Sequence, residues 1–492
     1  MSENYDDTFE PRNSGSRSRA IASILWWLPI LLVAWLLPLA SAASDSLPPR
    51  IQAALQHRGV PEDSLSIYVQ DLATGDTPLL WNDTVSRTPA SVVKLVTTLV
   101  ALDLLGPAYR WNTEIYALGE ISDGRLNGDL LIKGYGDPFL VTERVWQMLR
   151  ELRMTGVKNI AGDLLLDDSF FAVNHYDPAA FDREPLRAYN VAPNALLTNF
   201  KVVRYFFEPN GQSVNIRLDP MLENLRVSNK LQLANGPCRG YQRGITIIPS
   251  QDFSEVTFTG KFPAGCSIYA MDRTALEHNA FTYGLFRYLW EDSGGELDGT
   301  WQVAVAPEDQ DPLMTFRSQP LSEIITRINK HSNNVMARQL LYTLAAERLG
   351  APGTEDNGRK VIRDWLGARK LDFPDMKLDN GAGLSRESRM TARQLGEMLQ
   401  YAFQMPYMPE YVSSLSLSGI DGTLSRRFRS RALAGKAHIK TGSLDHVSSI
   451  AGFFQAKSGA RYAVVSLHNY TDIHRGYGDE VQQALLEWLN EQ

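Results

Sequence analysis

The chain has 492 residues, and at about 150 residues per domain this length is enough for roughly three domains. Its composition, 44% hydrophobic and 21% charged, is that of a globular protein and excludes wholesale disorder or a collagen-like chain. Acidic residues (56) outnumber basic residues (49), and the resulting net charge of −7 does not favour a nucleic-acid-binding protein. Two cysteines are too few for a disulfide framework or a four-thiolate zinc site.

The N-terminal segment has the layout of an export signal. Arg17 and Arg19 precede an apolar stretch over residues 20–40, which closes with an A-x-A exit at Ala42. The stretch is also long enough to span a bilayer. The segment is therefore either a signal peptide over residues 1–42 or an uncleaved membrane anchor. The basic flank predicts that either one places the rest of the chain outside the cytoplasm.

The first predicted elements after this segment are a β-hairpin and a buried helix. Residues 64–71 alternate with the period of a strand, and residues 78–81 return after a turn signal. Thr88 is a competent N-cap, and Pro89 then occupies the first helical position, where its missing N–H costs nothing. The helix ends at Gly106, and because apolar residues cover most of its circumference we expect it to be buried.

Residues 112–311 have a different texture, in which short β-like runs alternate with Gly, Asp and Pro around a helical segment over residues 141–154. This pattern predicts one or two small β-rich domains inserted into a larger one. Cys238 and Cys266 both fall within it. In an oxidising compartment two cysteines most simply pair, and closing a loop of about 29 residues would stabilise the fold by about 3 to 4 kcal/mol. Two unrelated buried thiols are the alternative.

The last third of the chain returns to helices and then to strands. Helical patterns cover residues 321–350, 361–365 and 391–403, and β-like runs with Gly-containing turns follow them. An amphipathic helix over residues 479–489 closes the chain.

Ser91 and Lys94 form the first candidate catalytic pair. They lie one turn apart near the N-terminus of the predicted buried helix, so their side chains share a face. A serine in the first turn can offer its hydroxyl as a nucleophile and its own N–H as an oxyanion donor, and a desolvated lysine can serve as its base. Alone, Ser-x-x-Lys is frequent by chance, and a helix serine beside a snorkelling lysine is the alternative.

The second motif is the run Lys440-Thr441-Gly442-Ser443, at the end of a strand-like segment. A strand edge of this kind can bind an extended peptide and supply a second oxyanion N–H. Lys440 would add a cation beside Lys94 and near a terminal carboxylate. An ordinary exit from a strand into a turn is the alternative.

Ser332 and Asn334 lie between these motifs, flanked by helical pattern on both sides. Both side chains can point into a cleft from a helix-to-helix loop, which leaves Asn333 outward. Ser332 would relay a proton, and Asn334 would hydrogen-bond a substrate amide and Lys94. Ser-x-Asn occurs elsewhere in the chain and is the weakest motif. The order of the three, each in its expected secondary structure, gives the set its specificity.

With these motifs the chain resembles the serine penicillin-binding proteins, particularly the low-molecular-mass (class C) D-alanyl-D-alanine carboxypeptidase/endopeptidases of bacterial cell walls. The resemblance covers nearly the whole exported chain, including the large insertion between Ser91 and Ser332. Further segments that match this subgroup are GYGDP at residues 134–138, YNVAPNAL at 189–196, DNGAGLSR at 379–386 and GIDGTL at 419–424. Asn333 and Asn380 stand where the subgroup more often has Asp, and neither departure removes a group with an assigned chemical role.

The resemblance implies an α/β fold in which a five-stranded antiparallel sheet is flanked by helices. Residues 43–112 and 313–492 would form this catalytic domain, with the β-rich insertion at residues 113–312. The resemblance also implies a periplasmic enzyme that acts on peptidoglycan stem peptides, binds β-lactams covalently, and uses neither a metal nor another cofactor.

Roles for individual residues follow from the same resemblance. Ser91 would be the acylated nucleophile and Lys94 its base, while Ser332, Asn334 and Lys440 would shuttle protons and hold the peptide. The residues that would bind the terminal carboxylate or the diamino-acid side chain of the stem peptide are Thr441, Gly442, Ser443, Leu444, Arg386, Tyr189 and an acid, Glu184 or Asp182. The N–H groups of Ser91 and Ser443 would form the oxyanion hole.

Two other functions share part of this pattern. A serine β-lactamase carries the same three motifs but needs a deacylating base, and no Glu-x-x-Leu-Asn stands between Ser332 and Lys440. An insertion of this size is also unlike those compact enzymes. A wall-associated scaffold with a degenerate site is the second alternative, and the intact motif residues argue against it.

Overall fold

A computed structural model of the protein describes residues 46–239, 244–371 and 373–492. The predicted export segment over residues 1–42 lies outside the described residues, so its cleavage stays a prediction. Across the described ranges, the longest apolar helices are too short or too polar to cross a membrane.

The strands, in chain order, are Leu65–Asp71 (β1), Leu79–Trp81 (β2), Asn112–Ser122 (β3), Arg125–Gly134 (β4), Asn159–Ile160 (β5), Leu164–Asp167 (β6), Val202–Pro209 (β7), Val214–Asp219 (β8), Arg226–Pro237 (β9), Ile245–Pro249 (β10), Glu255–Gly265 (β11), Tyr269–Thr274 (β12), Glu296–Leu297 (β13), Trp301–Val303 (β14), Met314–Arg317 (β15), Ser416–Leu417 (β16), Ala437–Leu444 (β17), Val447–Gln455 (β18) and Arg461–Asn469 (β19). The helices are Pro49–His57 (α1), Lys94–Leu105 (α2), Thr142–Met154 (α3), His278–Asp292 (α4), Leu321–His331 (α5), Asn334–Leu349 (α6), Glu355–Ala368 (α7), Ala392–Gln404 (α8), Met408–Ser413 (α9) and Tyr477–Leu489 (α10).

The sheet that carries the Lys-Thr-Gly-Ser run is antiparallel and has the strand order β16-β17-β18-β19-β1-β2. Strands from the two ends of the chain meet in it, because β1 pairs with β19 along its whole length. The predicted hairpin is confirmed, since β2 pairs back onto β1. The five expected strands are present, and the two-residue strand β16 extends the sheet by one at the β17 edge.

Both faces of this sheet are covered by helices, as the alternation of its side chains requires. Tyr68 faces one core with α2, α5, α6, α7 and α8. Its neighbours Ile67 and Val69 face the opposite core with α1 and α10. The helix α2 is buried over most of its surface, as its all-round apolar sequence predicts.

The stretch between β3 and β15 forms three further sheets: one of seven strands built around β3 and β4, and two of three strands, β10-β11-β9 and β12-β7-β8. They share an apolar core with α3 and α4. Within the described residues, every strand of this stretch pairs only with other strands of the same stretch. An isolated bridge between Phe171 and Gly353 links the stretch to the segment before α7. The boundaries of the insertion as a separate domain stay a prediction.

Thr88 does not cap the buried helix, contrary to the sequence-based expectation. A 3₁₀ turn over Ala90–Val93 precedes α2, and Pro89 stands immediately before that turn without a side-chain cap. The N–H of Thr88 donates to Asn469 Oδ1 at 2.8 Å, and Arg389 donates to the Thr88 hydroxyl at 3.0 Å. The polar groups of Thr88 therefore fasten the turn to neighbouring segments, and the helix begins later than its sequence predicts.

Cys238 and Cys266 form a disulfide bond. Each cysteine follows the last paired residue of its strand, since Pro237 of β9 pairs with Gly265 of β11. The bond therefore fastens the ends of two neighbouring strands within the same small sheet.

We expect the double substitution Cys238→Ser, Cys266→Ser to lower the free energy of unfolding of this small sheet by about 3 to 4 kcal/mol and to leave the catalytic rate nearly unchanged. Differential proteolysis of the 200–275 region and the rate of penicillin acylation measure the two effects. A free-thiol assay on the unfolded, unreduced protein that finds two thiols would instead show that the bond does not form.

Candidate active site

Ser91 lies in the tight turn that precedes α2. Its neighbour Ala90 is fully buried and has a φ of 50°, a conformation that residues with a Cβ adopt rarely. The turn brings the side chain of Lys94, at the start of α2, back toward the serine, and Lys94 Nζ donates to Ser91 Oγ at 3.0 Å. The one-turn spacing thus joins the two groups directly.

Lys94 is the centre of the site's hydrogen-bond network. Its amine is fully buried and also donates to Asn334 Oδ1 at 2.5 Å and to the carbonyl oxygen of Ala382. Burial, together with the positive charges of Lys440 and Arg338, holds the pKa of Lys94 well below its usual range. An amine in this environment favours the neutral form, which can accept a proton.

Ser332 and Asn334 occupy the junction between α5 and α6. Ser332 ends α5 in a left-handed conformation with a φ of 55°, and Asn334 begins α6. Between them, Asn333 caps α6 because its side chain accepts from the N–H of Met336 at 3.0 Å. An Asp at this position could make the same cap, so the departure at residue 333 leaves the junction intact.

Lys440 reaches the same junction from strand β17. Its amine is fully buried and donates to Ser332 Oγ at 2.9 Å and to the Thr441 carbonyl oxygen at 2.7 Å. Burial lowers the pKa of Lys440 to about 7. The hydroxyl of Thr441 donates to that of Thr423 at 2.9 Å. Two hydrogen-bonded groups, Lys94 with Ser91 and Asn334, and Lys440 with Ser332, therefore meet at the junction of α5 and α6.

Two glycines allow the segments around Ser91 to approach each other. A Cβ on Gly442 of β17 would lie 2.6 Å from the Pro89 carbonyl oxygen and 3.1 Å from the Ser91 nitrogen. A Cβ on Gly383, which has a φ of 78°, would lie 2.1 Å from the Ala90 carbonyl oxygen. Strand β17 and the loop at residues 379–386 therefore hold the Ser91 turn from two sides.

Gly383→Ala is expected to destabilise the protein by about 2 to 3 kcal/mol and to slow acylation of Ser91, because both the positive φ and the close contact oppose a methyl group. Urea denaturation and penicillin labelling measure the two effects. Gly367→Ala is the matched control, since Gly367 lies in α7 with nothing within 4 Å of its added Cβ. Equal behaviour of the two variants would contradict the packing argument.

Sequence reasoning gave no role to Ala382, whose backbone carbonyl binds Lys94. The loop that presents it is organised by Asn380, which accepts from the N–H groups of Ala382 and Gly383 at 3.0 and 3.2 Å and donates to the Leu384 carbonyl at 2.9 Å. A side-chain amide can accept and donate in this way. The clustered glycines of this loop were the only signal that the sequence offered. The residue type at position 382 does not indicate that its backbone carbonyl binds a lysine.

Helix α6 holds two further segments that the sequence had singled out only by resemblance. Gln339 donates to the Asn194 carbonyl at 2.9 Å and accepts from the Asn194 N–H at 2.9 Å. The N–H of Gly136 donates to the Ala195 carbonyl at 2.7 Å. The GYGDP and YNVAPNAL segments are thereby packed together against the helix that begins at Asn334.

A cleft of about 730 Å³ opens beside Ser332 and Asn334, and Tyr189 lines it. The hydroxyl of Tyr189 donates to Asp182 Oδ2 at 2.7 Å. Glu184 is exposed and lies 3.6 Å from Arg187. Of the two acids that the sequence left open, the one in contact with Tyr189 is therefore Asp182.

The other residues of the expected side-chain pocket are more dispersed. Arg386 is exposed, packs over the ring of Phe181 at 5.3 Å, and lines a second cavity of about 390 Å³ that also reaches Arg338. Leu444 is half-buried at the end of β17, and Ser443 beside it is exposed. Neither of the two cavities includes both Tyr189 and Arg386 in its lining.

His446, Asp472 and His474 come close enough together at the turn after β17 to share a cation. However, Nδ1 of His474 accepts from the His446 N–H at 2.9 Å, and Nδ1 of His446 accepts from the Asp472 N–H at 3.0 Å. Both rings already use one nitrogen as an acceptor, which makes the other nitrogen the protonated one. We assign no metal to this cluster.

Comparison with known proteins identifies the family of the chain. A model of the D-Ala-D-Ala carboxypeptidase 3 (S13) family matches residues 47–492. The chain is 27% identical over 485 residues to a D-alanyl-D-alanine carboxypeptidase of Actinomadura sp. (strain R39), covering 93% of this chain and 89% of that one. It is 23% identical over 394 residues to the D-alanyl-D-alanine carboxypeptidase DacB of Haemophilus influenzae, covering 79% and 82%.

Solved structures share the fold. The crystal structure of penicillin binding protein 4 (dacB) from Haemophilus influenzae has a TM-score of 0.77 at 21% identity and covers 89% of this chain and 99% of that chain. A penicillin G-acylated predatory endopeptidase from Bdellovibrio bacteriovorus has a TM-score of 0.51 at 17% identity, with 87% and 91% covered. The resemblance seen in the sequence is confirmed: the protein belongs to the D-Ala-D-Ala carboxypeptidase 3 (S13) family and is a serine-type hydrolase.

Proposed function

We propose that the protein hydrolyses the D-Ala-D-Ala end of peptidoglycan stem peptides through a covalent acyl-enzyme on Ser91. The observation that carries this proposal is the 3.0 Å contact between Ser91 Oγ and the fully buried amine of Lys94. In its neutral form the amine keeps two N–H groups for Asn334 and the Ala382 carbonyl, and its lone pair then faces Ser91 and can accept the hydroxyl proton. Membership of the family and the names of the two carboxypeptidase relatives support the same substrate class.

In the first half-reaction, Lys94 takes the proton of Ser91 as Oγ bonds to the carbonyl carbon of the penultimate D-alanine. The carbonyl electron pair moves onto oxygen, where the N–H groups of Ser91 and Ser443 stabilise the charge. The C–N bond then breaks, and the leaving amine receives the proton that Lys94 took, passed on through Lys440 and Ser332, so that Lys94 is neutral again. The products are an ester on Ser91 and the released amine.

In the second half-reaction, Lys94 takes a proton from a water molecule as the water oxygen bonds to the ester carbon, and the tetrahedral intermediate expels Ser91 Oγ, which receives that proton back from Lys94. If the leaving amine is D-alanine, the reaction is a carboxypeptidase step. If it belongs to a second stem peptide, the same bonds break and the reaction is an endopeptidase step. A β-lactam would acylate Ser91 in the same way, but its leaving amine stays tethered to the acyl group.

Incubation with labelled penicillin tests the proposal. We expect a stoichiometric adduct on Ser91 that lasts for minutes or longer. Rapid loss of the label with release of opened penicillin would indicate a β-lactamase, and a failure to label would indicate a scaffold. Digestion of purified cell wall, with identification of the released fragments, then separates D-alanine release from cross-link cleavage.

We also infer that the enzyme works outside the cytoplasm, in the periplasm, with the N-terminal segment as its export signal or membrane anchor. The basic flank and apolar stretch over residues 17–40 support this inference. N-terminal sequencing of protein recovered from the periplasmic and membrane fractions distinguishes cleavage at Ala42 from retention of an anchor. Recovery in the cytoplasm alone would contradict the inference.

Asp182 and Arg386 are proposed to bind the charged side chain of a diaminopimelate in the stem peptide. Asp182 would accept from its ammonium, and Tyr189 and Leu444 would contact the aliphatic part. The exposed side chain of Arg386 would extend from the second cavity to bind its carboxylate. We expect Asp182→Asn and Arg386→Ala to reduce kcat/KM for diaminopimelate-containing peptides by about 10- to 100-fold and to affect a simple diacyl-lysyl-D-Ala-D-Ala substrate much less.

Glu184→Gln is the comparison variant for this prediction, because Glu184 faces Arg187 and its carboxylate has a different partner from that of Asp182. A specific loss in Glu184→Gln, with none in Asp182→Asn, would transfer the role to Glu184. Equal losses on both substrates in every variant would show that this pocket assignment is wrong and would leave the three-motif site unaffected.

A further inference from the structure

Helix α6 carries a buried cation one turn after Asn334. Arg338 is 2% exposed, and its Nη1 donates to the Val191 carbonyl at 2.9 Å and to the hydroxyl of Tyr176. Its Nη2 donates to the Tyr189 carbonyl. Its Nε is buried and has no hydrogen-bond partner within the described part of the chain. Most of the contacts of this guanidinium are therefore with neutral backbone oxygens of one segment.

Among the residues that the structure describes, no carboxylate forms an ion pair with Arg338. The two carboxylates that act on it through space, Glu355 and Asp379, both lie within ion-pair distance of Arg359 instead. The phenols of Tyr176 and Tyr342 are the other titratable groups facing it. A buried cation without a paired anion is costly to the fold, and an apolar side chain of similar volume would often pack as well. A structural role alone does not account for a charge here.

The positive charge of Arg338 is important because the other groups around the Lys94 amine are neutral or lose their charge. The groups in contact with the Lys94 amine are Ser91 Oγ, Asn334 Oδ1 and the Ala382 carbonyl, all of them neutral, and the charged groups acting on it are Lys440 and Arg338. Burial lowers the pKa of Lys440 to about 7, so Lys440 loses its charge through the neutral range. Arginine stays protonated throughout that range. Of the two charges that act on Lys94, Arg338 is therefore the one that persists through this range.

We propose that Arg338 is a positioning residue for the reaction: its hydrogen bonds hold the cleft segment at Tyr189 and Val191 against α6, and its permanent charge lies one helical turn from Asn334, which binds Lys94. Tyr189 and Asn334 line the same cleft, so the clamp acts beside the residue whose side chain binds Lys94. The inference rests on the proposed roles of Ser91 and Lys94.

The test is the pH dependence of the second-order rate constant for penicillin acylation in Arg338→Met and Arg338→Lys. Removing a nearby cation favours the protonated form of Lys94, so its pKa rises and the acid limb of the profile moves to higher pH. At pH values below the acid limb, the acylation rate constant of Arg338→Met should be about tenfold lower than that of the wild type for each pH unit by which the limb has moved. At higher pH the two rate constants should become equal. Arg338→Lys keeps a charge and should keep the wild-type limb, even where loss of the hydrogen-bond clamp lowers the rate at every pH.

Arg427→Gln is the matched control, because Arg427 is a largely buried arginine that pairs with Asp479 and contacts Gln482 in the other core. We expect it to lower the Tm without moving the limb. The rate of labelling in excess penicillin reports only folded molecules, so a partly unfolded variant remains measurable, and Arg338→Gln replaces Arg338→Met where expression requires it.

A limb in Arg338→Met that coincides with the wild-type limb would overturn the inference. A uniform loss at all pH values in both Arg338→Met and Arg338→Lys would assign Arg338 a structural role only. Both outcomes are distinct from failure of the proposed function, which would appear as wild-type protein that penicillin does not label at Ser91.

Discussion

Ser91→Ala is expected to abolish both acylation by penicillin and peptide hydrolysis while the protein remains folded. Loss of a serine nucleophile removes the covalent route altogether, and the expected decrease in kcat is on the order of 10⁶-fold. The fold should tolerate the change, because Lys94 keeps Asn334 and Ala382 as acceptors. The free energy of unfolding should fall by no more than about 1.5 kcal/mol. Mass spectrometry of the adduct, release of D-alanine and urea denaturation measure the three quantities.

Ser458→Ala is the control for this substitution, since Ser458 is an exposed serine in the turn between β18 and β19. It should retain both activities. Turnover that persists in Ser91→Ala, above any contaminating peptidase, would show that the nucleophile is another residue and would remove the basis of the proposed mechanism.

Lys94→Ala should lose acylation nearly as completely, because a nucleophile and its base fail as a unit. We expect a decrease of at least about 10⁴-fold in the acylation rate constant, which exceeds the effect of an independent general base acting alone. Truncation of a fully buried side chain also leaves a cavity. Lys94→Met, which keeps most of the volume without the amine, therefore separates loss of the base from loss of packing, and it should be equally inactive.

Lys201→Met is the matched control, because Lys201 is another lysine whose pKa burial lowers, and it lines a cavity away from the three motifs. It should keep the acylation rate of the wild type. Substantial acylation in Lys94→Met, with a pH profile like that of the wild type, would contradict the role of Lys94 as the base.

Much of the local structure was predictable from the sequence because its signals act over a few residues. The predicted strand at residues 64–71 is observed as Leu65–Asp71, and the predicted helix at residues 391–403 as Ala392–Gln404. The helix start is sharp because Thr391 and Gln394 form a reciprocal capping box. Thr88 shows where the same logic failed. It is a competent cap by residue type, but a 3₁₀ turn intervenes and the side chain binds elsewhere.

Residue type, spacing and order were likewise enough to single out Ser91, Lys94 and Lys440, since nucleophile and base must be side chains of particular chemistry at helical or strand spacing. They could not show which backbone atoms the site uses. The carbonyl of Ala382, the close approach that requires glycine at positions 383 and 442, and the unpaired charge of Arg338 depend on segments brought together from distant parts of the chain. Such contacts form only when the core is packed, and a backbone oxygen or an uncompensated charge is defined by its neighbours in space. The candidate catalytic side chains could therefore be named from the sequence, while the backbone groups and charges around them are defined only by the folded chain.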